Sequence, residues 1–159
     1  MNDTDTSSAA QRWRPSVPFL STGTVAIIAG GMAAAVTGPT DWSHGSWVAA
    51  FLVLVAGVAQ IGLGAGQASL APAAPNSRVA AAECVLWNIG CTAVVAGTLL
   101  SAPIAVTVGS APLVAALAIA TFVVRGVGRQ RLLLALYRVL LVVLLVSIPI
   151  GSILAWSRR

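Results

Sequence analysis

The sequence is divided into about five runs of roughly twenty apolar residues, the length an α-helix needs to cross a hydrocarbon layer of about 30 Å. The runs cover 17–37, 47–67, 79–100, 104–124 and about 134–156. Between them lie segments rich in Gly, Pro, Ser and Asn: GPTDWSHGS, ASLAPAAPNSR, a three-residue SAP, and the basic RGVGRQR. Links so short force consecutive helices to run antiparallel as neighbours. The expectation is an all-α transmembrane bundle forming one domain over residues 17–157, preceded by a disordered cytoplasmic tail over 1–16. Composition agrees: 58% of the residues are hydrophobic and 8% charged, against about 45–50% and about 25% in soluble domains.

Charge sets the orientation. All nine basic residues are arginine, and the acids are Asp3, Asp5, Asp41 and Glu83. The arginines sit at the ends of the apolar runs rather than along one polar face. The net charge of +5 therefore marks a membrane side and not a nucleic-acid surface. With the N-terminus inside, Arg12, Arg14, Arg78, Arg125, Arg129, Arg131 and Arg138 face the cytoplasm, and only Arg158 and Arg159 lie outside. Trp13 then falls at the inner interface, and Trp42, Trp47 and Trp156 at the outer one. The expected location is a bacterial plasma membrane, crossed several times. Two alternatives accompany this layout: the first run as a cleaved signal segment, and residues 125–138 as a basic interfacial turn rather than the start of the last span.

Polar residues and glycines inside the spans are the candidate functional positions. In lipid the hydrophobic effect does not draw helices together, so association relies on close contact and interhelical hydrogen bonds. The stretch GVAQIGLGAG supplies both. Gly62 and Gly66 form a GxxxG pair, and Gly57, Gln60 and Gly64 share a helix face that turns Gln60 inward. On the third run Cys84, Asn88, Cys91 and Thr92 lie along one side, which makes Asn88 the expected partner of Gln60. Glu83 lies about one turn from the cytoplasmic end, within reach of the headgroups or of Arg78; its alternative is a proton-handling role. The two cysteines are seven residues apart, about 10 Å along a helix, too far for a disulfide and without a CxxC motif. They read as packing residues. His44 in the outer loop is the only histidine, so one chain cannot build a bis-histidine haem or a three-histidine zinc site, and no cofactor is expected. Asp41 could orient His44 toward a ligand; otherwise Asp41, Ser43 or Ser46 caps the second span. Pro149, beside Ser147 and Gly151, marks a kink, as does Pro112.

The stretches HGSWVAAFLVLVAGVAQIGLGAGQ, ECVLWNIGCTAVVAGTLL and YRVLLVVLLVSIPIGSILA resemble small integral membrane proteins of actinobacteria. They are also distantly similar to helices of haem-copper oxidase subunit I, where a histidine near a helix end precedes a Gly-rich span and an Asn-x-Gly element follows, here Asn88–Ile89–Gly90. The paired haem and copper histidines are missing. The resemblance therefore implies the scaffold without the cofactor and transfers no site residue. Nothing in the spans assembles a nucleophile, a base and an orienting group, and no phosphate loop exists. The leading expectation is a non-enzymatic accessory or structural subunit, with the bilayer and either further copies of itself or a larger membrane complex as partners. The alternative is an oligomeric carrier of a small solute or protons, with Gln60, Glu83 and Asn88 along a polar path.

Overall fold

A computed structural model describes residues 11–73, 75–125 and 131–157. Among them are five helices long and apolar enough to cross a membrane: α1 Gln11–Thr40, α2 Gly45–Leu70, α3 Ser77–Leu99, α4 Pro103–Val123 and, within α5 Arg131–Ser157, the stretch Arg131–Ile153. No strand occurs among the described residues. The chain is an all-α, multi-pass membrane protein. Its large exposed side chains are apolar along the spans, for example Val25, Ile28 and Met32 on α1 and Val139, Val142 and Val146 on α5, as a lipid-facing surface requires.

Local chemistry explains where the helices stop. Asp41 takes a left-handed conformation (φ 48°) that ends α1, and the following Trp42 N–H returns to Thr37 O at 3.3 Å. The three-residue link between α3 and α4 turns in the same way at Ser101 (φ 51°), with Ala102 N–H donating to Gly97 O at 2.8 Å. α3 starts behind a true N-cap, in which Asn76 Oδ1 accepts from Arg78 N–H at 2.9 Å. α4 opens on Pro103, whose missing N–H is no loss in a first helical turn.

Missing side chains bring the backbones together. On the α1–α2 seam, a Cβ on Gly23 would stand 3.0 Å from Gly57 O, and one on Gly30 3.0 Å from Ala49 O. On the α3–α4 seam, Gly90 packs against Gly109 O, and Gly97 against the Val106 backbone. α5 completes the bundle against α4 and against the Gln60–Leu70 half of α2.

The structure moves two boundaries and alters the course of one span. Residues 11–16, expected in the disordered tail, instead begin α1, because that end is tied to α2: Arg12 Nη2 donates to Ala71 O (2.7 Å) and Ser16 Oγ to Gly64 O (2.9 Å). Residues 1–10 lie outside the described residues. Of the segment weighed as an interfacial turn, 126–130 lie outside them too, while Arg131 to Arg138 form the first turns of α5 without a break. Finally, α2 is not α-helical throughout. Its middle, Leu52–Ala59, is a π-helix, whose wider turns change the phase between the two halves of the span.

Packing this close is intolerant of added volume. Gly57→Leu places its Cβ against Ile27 and Gly23 O and is expected to destabilise the protein by about 1–3 kcal/mol. Gly31, whose Cβ would meet nothing within 4 Å, should accept leucine without loss. Thermal unfolding of the two variants in one detergent compares them directly.

Candidate functional site

Two features share the interior: a cleft in the tryptophan-bearing half of the bundle and a polar cluster in the arginine-bearing half. The cleft follows from the course of α5. This helix touches α2 along Gln60–Leu70, where Tyr137 lies over Gly66 and Leu140 over Gly62, so that a Cβ on either glycine would run into them. Further along it makes few contacts with the Gly45–Ala59 half of α2. The gap is a cleft of about 730 Å³, within the roughly 300–1,000 Å³ usual for small-molecule sites. Phe51, Val55 and Val58 of α2 face Val143, Leu144 and Ile148 of α5 across it, while α3 and α4 supply the back wall. His44 and the Ser101–Pro103 link line one end of it, and Ala59 and Trp87 the other. The polar lining is sparse: Thr98, Ser110, Ser147 and Ser152. The Ser110 and Ser152 hydroxyls stand 3.4 Å apart.

One helical turn from Trp87, beyond the cleft, lies Glu83. It is 0% exposed, and its Oε1 accepts from Gln67 Nε2 at 2.6 Å. Gln67, two turns along α2 from Gln60, is 2% exposed. The Tyr137 hydroxyl lies toward this pair without reaching hydrogen-bond geometry. Gln60, also 0% exposed, forms a second node: Nε2 donates to Thr22 Oγ1 of α1 (2.6 Å) and reaches Cys84 Sγ of α3 (3.4 Å). Thr22 in turn donates to Pro18 O at 2.6 Å. Among the described residues, four buried polar atoms remain without a hydrogen-bond partner: Gln60 Oε1, Glu83 Oε2, Tyr137 OH and Trp87 Nε1.

The glycines of the opening motif act within the chain. Gly57 and Gly64 face α1, against Ile27 and Phe19, on the same side as Gln60; Gly62 and Gly66 face α5. Asn88 does not meet Gln60. Its Nδ2 donates to Cys84 O, one turn back on its own helix, at 2.8 Å, and the two amides share only the Cys84 sulfur as a neighbour. Glu83 reaches neither the headgroups nor Arg78. The α1 extension and the long α2 cover this end of the bundle, and the exposed Arg78 is engaged through its backbone in the Asn76 cap.

At the other end, His44 occupies the N-cap position of α2, but no side chain caps the helix. Its Nδ1 lies 3.1 Å from Ser43 Oγ, and Asp41 is spent on the turn. Among the described residues no group of three metal-ligating side chains occurs. Cys84 and Cys91 are buried free thiols. Ser147 donates to Val143 O at 2.7 Å, so it does not serve Leu145 O, the carbonyl that Pro149 leaves without its usual donor.

Sequence reasoning missed Gln67, Trp87 and Tyr137. Their signals were present: Gln67 repeats the Gln60 face after seven residues, and Trp87 follows Glu83 by four.

The Gln67–Glu83 contact is testable by a double-mutant cycle. Gln67→Leu leaves a buried carboxyl with no partner and should cost about 1–3 kcal/mol. Adding Glu83→Leu removes the stranded group as well and should return part of that loss in the same unfolding assay.

No protein-family model matches the chain, and neither a curated protein nor a solved structure does, so the functional argument rests on these side chains.

Proposed function

We propose that the protein is a carrier of a small lipid-soluble molecule in a bacterial plasma membrane, and not an enzyme. Its arginine-bearing end lies in the cytoplasm and its cleft opens toward the opposite face. The observation that carries the reading is the cleft itself. Four helices wall it, apolar side chains line it, a few hydroxyls interrupt it, and a buried polar cluster lies beyond its inner limit. This is the composition of a small-molecule site: an apolar body with a few polar groups that orient the ligand. The orientation follows from the distribution of arginines, with Arg12, Arg14, Arg78, Arg125 and Arg131 all at one end of the described helices.

An accessory subunit would use its glycine faces to bind a partner. Here those faces are occupied by α1 and α5 of the same chain, which favours the carrier over the accessory role. A carrier also gives the polar interior a task that packing alone does not.

Filling the cleft should abolish binding without unfolding the bundle. Val143→Trp, on the α5 wall, should weaken binding of an environment-sensitive apolar fluorophore to the purified protein by about tenfold or more, a loss of about 1.4 kcal/mol. Val142→Trp, on α5 but outside the lining of the cleft, should leave it unchanged. Equal affinity in the two variants would overturn the assignment of the cleft as the ligand site. Orientation is checked separately by protease access to the N-terminal residues in right-side-out and inverted vesicles, with cleavage expected only in the inverted ones.

A further inference from the structure

We infer that the guest of the cleft is a lipid-soluble alcohol, an apolar body ending in a hydroxyl that donates its hydrogen to the Ser110 and Ser152 oxygens between α4 and α5. The inference names the substrate class of the proposed carrier and rests on that reading.

The hydroxyls along the cleft have no hydrogen to spare. Thr98 donates to Val94 O at 2.8 Å, Ser110 to Val106 O at 2.9 Å, Ser147 to Val143 O at 2.7 Å and Ser152 to Ile148 O at 3.2 Å, each one turn back on its own helix. A hydroxyl has one hydrogen and two lone pairs, so these side chains meet a guest as acceptors. The Ser110 and Ser152 oxygens come together 3.4 Å apart across two helices, with Ser110 only 9% exposed. If Ser152 turns its hydrogen to Ser110 instead, the pair still holds back both hydrogens. A guest O–H at this pair adds a bond to a free lone pair, whereas a guest carbonyl or ether oxygen must displace a bond already made. Trp87 Nε1, a buried donor without a partner among the described residues, belongs to a side chain 1% exposed and is closed to a guest. His44 and Ser101 stand at the end of the cleft formed by the links between spans, away from its apolar length.

The rest of the lining describes the body of the guest. From Ser152 back to Leu140 is twelve residues along α5, about 18 Å of helix rise. Over that length the walls are apolar except for Ser147, with Leu113 of α4, Val55 of α2 and Leu144 of α5 among them. This is roughly the depth of one leaflet of a hydrocarbon layer about 30 Å thick, so an extended chain of the kind that dissolves in such a layer fits along it. The cleft is also open from the side: Leu54 and Val58 on α2 and Val143 on α5 both line it and are exposed, so the gap between these two helices faces the surrounding lipid. A molecule that enters there exchanges one apolar surrounding for another and gains little from the hydrophobic effect. The hydroxyl contact then decides which molecules bind.

Three probes of matched length test this on the purified full chain in detergent: 1-hexadecanol, which donates and accepts, methyl pentadecyl ether, which only accepts, and heptadecane, which does neither. Each is scored by its displacement of the apolar fluorophore of the cleft-filling assay, at equal mole fraction in the micelles. The alcohol should bind about fivefold tighter than the ether, and the ether no tighter than the alkane. In the double variant Ser110→Ala, Ser152→Ala the alcohol should fall to the level of the ether, while ether and alkane bind as before and thereby report an intact cleft. Should that variant not fold, the order of the three probes on the unaltered chain decides. Equal binding of alcohol and ether, or a preference for the alcohol that survives the double variant, overturns the inference and leaves the carrier reading standing. So does failure of all three probes to displace a fluorophore that binds. If the fluorophore itself does not bind, the carrier reading falls, and this inference with it.

Discussion

The bundle depends on how closely α2 approaches its neighbours. Water does not drive helices together inside a bilayer, so contact must come from dispersion between backbones and from a few hydrogen bonds, both of which need short distances. α2 supplies those distances by omitting side chains on two faces: Gly57 and Gly64 toward α1, Gly62 and Gly66 toward α5. Only with α1 drawn in can the Gln60 amide reach Thr22. Only with α5 drawn in does Tyr137 lie over Gly66 and close the space beside Gln67. The polar cluster is therefore a product of the glycine seams, and its position on the bundle axis is theirs.

How much of this was legible in the sequence depended on the range of the interaction. The five spans and the antiparallel order were readable because crossing length and loop length are properties of single segments. So was the inward turn of Gln60, since a side-chain amide has few places to go in lipid. The depth of Glu83 was not. Distance from the end of its own helix suggested the headgroup layer, but burial depends on what the other helices do at that level. There α1 starts at Gln11 and α2 runs on to Leu70, which seals the end. The Gln60–Asn88 pairing failed for a related reason: Asn88 had a carbonyl of its own helix within reach, and a local bond requires no partner to be positioned. The π-helical middle of α2 left no sign in a Leu/Val/Ala/Gly stretch, because its hydrogen-bond register is set by packing and not by side-chain type.

The cleft and the seal are one pattern seen at its two ends. Along α2, residues toward α5 change from glycine at 62 and 66 to Val55, Val58 and Phe51 nearer the His44 end of the cleft. α5 opposes the larger set with Val143, Leu144 and Ile148. The larger side chains line the walls where the two helices diverge, and the glycines lie where they meet. A wedge-shaped interior follows from this gradient in side-chain size. The polar groups can be buried only at its narrow end, where Glu83 and Gln60 reach 0% exposure.

Stability does not account for that cluster. Each interhelical hydrogen bond in a membrane contributes on the order of 0.6–2 kcal/mol. The links Gln60 to Thr22 and Gln67 to Glu83 are the short interhelical bonds within the cluster. Against them stand four buried polar atoms without partners, each costing about 1–3 kcal/mol. Leucines of similar volume at Gln60, Gln67 and Glu83 would remove the cost and keep the contact area, as buried ion pairs replaced by apolar residues often show. Folding alone therefore gives no reason to keep a carboxyl, two amides, a phenol and an indole N–H together in the interior of a bilayer. The proposed carrier role gives such groups a task, since the inner limit of the cleft at Trp87 is the part of it nearest to them.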